Sequence, residues 1–422
     1  MLPRIATCIF LTSTIALAGC GNAVMFGNAT FGEVWFARDG KTALTAGGYI
    51  TEGPAKFWDV ATGRLLRTVQ LPAEPANDDA HWRVSRDLDF VVTRRAVWNL
   101  TTGALRRRLD TSYVITQVIG LAPNDSAVYA LTADSIVAFD LATGARTAAA
   151  PRPGAGPNAI FGHSEISPDG RWLAFFAGHR MQGDGAVYVA ELPALRVEPA
   201  AYQPPYPNDP QGRGPRTGGA WTQGMKFSPD GHTLAMSDGF EQVTLYDVTE
   251  RRMLRQLRCE FRVHMRMAIP MGFSRDGSRL VVHEGPEYPG LCLFEIPSGR
   301  LVRSIPEPRD YDRRLMITVG AERLVGLRRG MGPFEVYELS SGRLLRTFCP
   351  IPTGCTLSGG PQSRIVGLAP DDRTLFASDQ KNINGVWDIE SGQLRTWLTV
   401  PGRPRPWESV WARLMTAWRR WM

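Results

Sequence analysis

The sequence predicts an all-β chain in which one four-stranded unit is repeated eight times, and two observations carry that expectation. The first is a recurring phrase: KFWDVATGRLLRT from Lys56, AVWNLTTGALRRR from Ala96, VAFDLATGARTAA from Val137, CLFEIPSGRLVRS from Cys292, EVYELSSGRLLRT from Glu335 and GVWDIESGQLRTW from Gly385. Its aromatic anchors, Trp58, Trp98, Phe139, Tyr188, Tyr246, Phe294, Tyr337 and Trp387, recur at intervals of 40 to 58 residues. The second is a turn signal upstream of most copies: Ala37-Arg38-Asp39-Gly40, Ser167-Pro168-Asp169-Gly170, Ser228-Pro229-Asp230-Gly231, Ser274-Arg275-Asp276-Gly277 and Ala369-Pro370-Asp371-Asp372. An Asp-Gly pair supplies the positive φ angles of a tight hairpin.

The elements of a unit follow in order. After the Asp-Gly turn comes a short apolar strand, such as Trp172-Leu173-Ala174-Phe175-Phe176 or Arg279-Leu280-Val281-Val282. A variable loop leads to the aromatic-acidic strand, and a Thr-Gly or Ser-Gly turn leads to a last strand such as Leu344-Leu345-Arg346-Thr347-Phe348. Such a sheet has two apolar faces and buries neither alone. Radial stacking buries both, which is the logic of a single β-propeller. Residues 31–400 supply eight four-stranded blades, or seven if one irregular unit is not a blade. The fourth and fifth units replace the Gly turn with Leu192-Pro193-Ala194 and Thr249-Glu250-Arg251, and the seventh has Gly320-Ala321-Glu322 in place of the Asp-Gly signal. The first unit begins with its own first strand near Glu33 and the last ends near Val400. Closure is therefore expected from side-chain packing, with Trp58, Trp98 and Trp387 as buried equivalents. The order of these signals resembles WD-repeat propellers, a resemblance that implies the fold and is nearly silent on function.

The ends of the chain read differently. Arg4 precedes an apolar run from Ile5 to Leu17, too short to span a bilayer, and then Leu17-Ala18-Gly19-Cys20. That tetrapeptide resembles the lipobox of bacterial lipoproteins, in which the Cys thiol carries a diacylglyceryl group and becomes the first residue. The resemblance implies a signal peptide at 1–19, lipidation of Cys20 and a tether at 20–30. Gly21 in place of Asp resembles sorting to the outer membrane. Residues 401–422 are a Pro/Arg linker and a short amphipathic helix. Trp407, Trp411, Leu414, Trp418 and Trp421 recur at steps of four, three, four and three, making one apolar stripe beside Arg413, Arg419 and Arg420. The stripe either lies among lipid headgroups or docks on the propeller.

Composition excludes some classes. The formal charge is +7, and Arg supplies 44 of 48 basic residues spread along the whole chain, with no local run that would mark a nucleic-acid binder. Export permits disulfides. With Cys8 in the signal and Cys20 lipidated, Cys259, Cys292, Cys349 and Cys355 remain. Cys349 and Cys355 bound a small stapled loop, leaving Cys259 and Cys292 as a second pair or as buried thiols. No CxxC, G-x-S-x-G, H-E-x-x-H or P-loop occurs, and no cofactor is expected.

Candidate binding residues come from the first strands, which line the axis. Counting four back from the turn Asp gives Trp35, Arg83, Gly120, Glu165, Lys226, Gly272 and Gly367. Six back stand Glu33, His81 and His163. Arg83, Glu165, Lys226, His81, His163 and Glu33 thus converge on one mouth of the channel. The connection from Pro193 to Trp221, with seven prolines, is a candidate partner arm. The expectation is a lipid-anchored, non-catalytic interaction platform of the cell envelope, with other envelope proteins as partners. The alternative is an envelope hydrolase or a ligand or metal sensor with its site at the channel mouth.

Overall fold

The computed structural model describes residues 34–45, 54–71, 83–153, 159–179, 186–200, 224–237, 242–259, 268–284, 290–306, 311–318, 322–328, 334–348, 363–379 and 384–398, positions 111, 113 and 342 aside. They form thirty-two strands in eight antiparallel sheets, each of four strands consecutive in sequence. The blades span 34–69, 83–108, 117–151, 159–199, 225–258, 268–306, 311–348 and 363–397. The irregular fourth, fifth and seventh units are all blades, so the ring has eight. Among the described residues every strand pairs within its own blade and no helix occurs.

Period-two alternation explains why the sheets stack. Successive side chains on a strand point to opposite faces. On the second strand of blade 3 (Ala127–Leu131), Val128 and Ala130 pack toward blade 2 while Tyr129 and Leu131 pack toward blade 4. In blade 1, Phe57 faces blade 2 and Trp58 faces blade 8. The buried apolar residues accordingly fall into eight clusters, one for each seam between neighbouring blades.

The seam between blades 8 and 1 closes the ring as expected, by packing. Phe36 meets Phe376 edge-on with centroids 5.0 Å apart, inside a cluster with Ala43, Trp58, Val386 and Leu398. The Thr396 hydroxyl donates to the Thr62 carbonyl at 2.9 Å. Of the three tryptophans expected to be equivalent, Trp58 and Trp387 are buried, but Trp98 is only half-buried. It packs at the edge of the cluster between blades 1 and 2, on the blade with the shortest strands.

The repeated phrase has a local explanation. Its acidic residue caps the turn that follows: Asp59 Oδ1 accepts the Thr62 N–H and hydroxyl, both at 2.7 Å, and Asp140 does the same for Thr143. These bonds hold both carboxyls below the usual carboxylate range. In blade 8, burial works against the charge of Asp388, but Arg395, the Ser391 N–H and Arg373 outweigh it and hold the carboxyl well below that range. The serine of the upstream turn is buried, and its hydroxyl accepts an N–H five residues on, as Ser167 does from Trp172 and Ser228 from Thr233, both at 2.9 Å.

Candidate functional site at the inner ring

The first strands of blades 3, 4, 5 and 6 run beside one another, and those of blades 2 and 3 and of blades 8 and 1 also meet. The four-back residues sit on this inner ring, yet most of them point along it into a neighbouring blade. The Arg83 guanidinium donates from Nε and Nη2 to the Ile119 carbonyl of blade 3, at 3.1 and 2.8 Å. A Cβ on Gly120 would meet Ile166 of blade 4 at 2.7 Å, and one on Gly367 would meet Phe36 and Val34 of blade 1. Trp35 packs into the seam between blades 1 and 2. Only Gly272 faces open space.

These contacts show which partners the charged residues have within the ring. Arg83 is buried at 7% exposure and is satisfied by backbone. The Lys226 ammonium lies 2.9 Å from Glu165 Oε2, and Glu165 Oε1 accepts the Phe227 N–H at 3.0 Å. At 18% and 21% exposure the Lys226 and Glu165 side chains are partly shielded from water, and the pair links blades 4 and 5. An uncompensated charge there would be costly, so each neutralises the other.

His163 is on the same strand as Glu165, beyond a register shift between Phe161 and Ser164. Burial, with the Lys226 charge adding to it, pushes its imidazole down to about 3, so it is neutral at physiological pH. Glu33 and His81 lie outside the described residues, as do Cys20, Cys349, Cys355, the connection 201–223, and Trp407, Trp411, Leu414, Trp418 and Trp421. The structure therefore brings together His163, Glu165 and Lys226 and places Arg83 at a different seam. Among the described residues no group of three His, Cys, Asp or Glu side chains is arranged to hold a metal.

Sequence reasoning left three features open or unseen. Cys259, just after the fourth strand of blade 5, is disulfide-bonded to Cys292 on the third strand of blade 6, so the staple crosses a seam. His283, half-buried on blade 6, is pushed by burial down to about 4. The third is a seam contact. Among the described residues, the Gly of a Thr-Gly or Ser-Gly turn lies against the fourth strand of the preceding blade or its end: Gly63 against Thr396 and Trp397, Gly103 against Val69 and Gln70, Gly144 against Arg108, Gly299 against Arg255, Gly392 against Arg346. Aligning the copies of the phrase reveals the glycine; the partner stands in another copy.

No family model matches the chain, and no curated protein matches it. Among solved structures, it is similar to the β-propeller domain of Cps50 (Swd1) from Myceliophteria thermophila. Identity is 14% and the TM-score 0.44, over 87% of this chain and 99% of that one. The fold described above rests on the eight sheets and eight seams themselves.

Proposed function

We propose that this chain is a lipid-anchored, non-catalytic β-propeller of the bacterial cell envelope, held at the outer membrane and presenting its loops and rim to other envelope proteins. The observation that carries the location is the Cys259–Cys292 disulfide, whose two residues are buried in the cluster between blades 5 and 6. Structural disulfides persist in oxidising compartments, and that is where an N-terminus ending in Leu17-Ala18-Gly19-Cys20 directs a chain. The pairing of Lys226 with Glu165, and of Arg83 with a carbonyl, supports binding over catalysis, because these charges already serve the seams. A partner-binding role then falls to surfaces away from the axis, and the proline-rich composition of the connection from Pro193 to Trp221 suits it to such a role.

The test is expression of the chain with its own N-terminus beside a Cys20→Ser variant. Wild-type protein is expected in the membrane fraction with Cys20 acylated, the variant in the soluble envelope fraction, and Cys259 and Cys292 protected from alkylation until reduced. A mature N-terminus elsewhere than Cys20, or two free thiols in the native protein, contradicts the reading. Crosslinking in intact cells followed by purification identifies the partners.

A further inference from the structure

The outer end of the seam between blades 3 and 4 is less filled than most. Near the end of its fourth strand, each blade turns one side chain into the seam with the next. In six blades it is large, apolar and buried: Val69, Leu109, Leu257, Ile305, Phe348 and Leu398. Blades 3 and 4 have Ala150 and Ala200 there. Beside Ala150, between the fourth strand of blade 3 and the last two strands of blade 4, lies an open pocket of about 450 Å³, a size usual for ligand sites. Ala150, Pro151 and Arg152 line it from blade 3, and Tyr188, Val197 and Pro199 from blade 4. The Tyr188 ring makes a firm wall, stacked on Phe175 with centroids 5.6 Å apart.

Arg152 is the one charged residue of this lining, and its guanidinium is poorly served. Nη1 reaches the Ala133 carbonyl at only 3.4 Å, and Nε is buried with no acceptor among the described residues. No carboxylate among them forms an ion pair with it. Burial without a counter-charge pulls the group below its usual pKa. A half-buried cation in an otherwise apolar pocket calls for an anion. A chain end carries that anion best. Pro151, Pro153 and Pro199 offer no N–H, so a peptide passing through would leave backbone carbonyls unpaired. A chain that stops in the pocket brings a carboxylate to the guanidinium, and its last apolar side chains take the space that a larger residue fills at other seams.

We propose that this pocket takes the C-terminus of a partner protein, with its last apolar side chains against Tyr188 and Val197 and its free carboxylate on Arg152. The inference rests on the partner-binding part of the proposed function, to which it gives a chemistry, and it needs neither the lipid anchor nor the envelope.

The experiment uses the full mature chain carrying Cys20→Ser, which separates it from the question of the anchor. It is presented with a pool of labelled peptides whose last few positions vary among apolar residues, and with the same pool as C-terminal amides. The free-acid pool is expected to be retained, and the amides to bind at least about tenfold more weakly. Ala150→Leu, which fills the pocket as the other seams are filled, should abolish retention without lowering the melting temperature. Arg152→Gln should erase the difference between acid and amide. Arg196→Gln, on the opposite face of its strand from Val197, should leave that difference intact. If Ala150→Leu melts early, Arg152→Gln alone decides. Equal binding of acids and amides, retention of neither pool, or retention that survives both pocket substitutions overturns the inference. Retention of decanoate but of neither pool would make this a fatty-acid site and overturns it as well. So does binding that appears only after residues 203–221 are replaced by a short linker, since this chain's own connection would then hold the pocket. If partners crosslink in cells to the Ala150→Leu protein as they do to wild type, the platform stands and only this pocket falls.

Discussion

Blades 1 and 3 on one side, and blades 4 and 5 on the other, build the same seam from different residues. In blades 1 and 3 the turn after the acidic residue holds Gly63 at φ +66° and Gly144 at φ +76°, and a Cβ there would lie 2.4 Å from the Trp397 carbonyl oxygen or 2.3 Å from that of Arg108. Blades 4 and 5 have no glycine at this point, yet Leu195 and Arg251 take the same backbone region, at φ 55° and 53°. Their side chains reach the preceding blade where glycine leaves the contact to backbone. Leu195 is 2% exposed and packs beside Ala150 of blade 3, and Arg251 pairs with Glu198 of blade 4. What repeats is a conformation and a contact with the preceding blade. The residue is free to change once the neighbour's strand stands back.

That comparison can be broken at graded cost. The largest effect is expected from Gly63→Ala, where left-handed strain adds to a clash with backbone of blade 8; denaturant unfolding should show a loss of about 3 kcal/mol. Leu195→Gly should lose about 2 kcal/mol, because the buried side chain outweighs relief of the left-handed conformation. Gly40→Ala has the same φ problem, at +68°, but nothing within 4 Å; about 1 kcal/mol is expected, the strain alone. Arg251→Gly should be neutral or stabilise by up to about 1 kcal/mol, since its ion pair is half exposed and screened while the strain is relieved. If Leu195→Gly proves stabilising, or if Gly40→Ala costs as much as Gly63→Ala, the seam contact is not what the turn serves.

Much of this architecture was legible in the sequence, for a physical reason. A turn that needs positive φ, a strand that alternates and an acid that caps its own turn are local requirements, and they recur in Trp58-Asp59 as in Trp387-Asp388. Blades 4 and 5 were harder to read, because Leu195 and Arg251 meet the conformational requirement without the residue that announces it. The partners on the inner ring were out of reach of the sequence for another reason. Register counted back from Asp87 or Asp169 put Arg83 and Glu165 on the axial strands, but it could not say that Ile119 and Phe227, 36 and 62 residues away, would offer the carbonyl and the N–H that hold them. The pocket beside Arg152 has the same character. Ala148-Ala149-Ala150 reads as an ordinary strand end until the ring sets it against Tyr188 and Val197 of blade 4.

The central claim is that eight complete blades close into a ring by packing, so that the last blade meets the first at a seam like any other. Its most direct test is a crosslink between residues 334 positions apart, Thr62 and Thr396, whose hydrogen bond joins blades 1 and 8. With Thr62→Cys and Thr396→Cys installed together, a short bismaleimide should join the two blades within the native monomer. Peptide mapping should locate the bridge, and unfolding the chain before reaction should abolish it. A folded double variant that never crosslinks, or one that crosslinks only between molecules, would mean that the ring is open or differently closed.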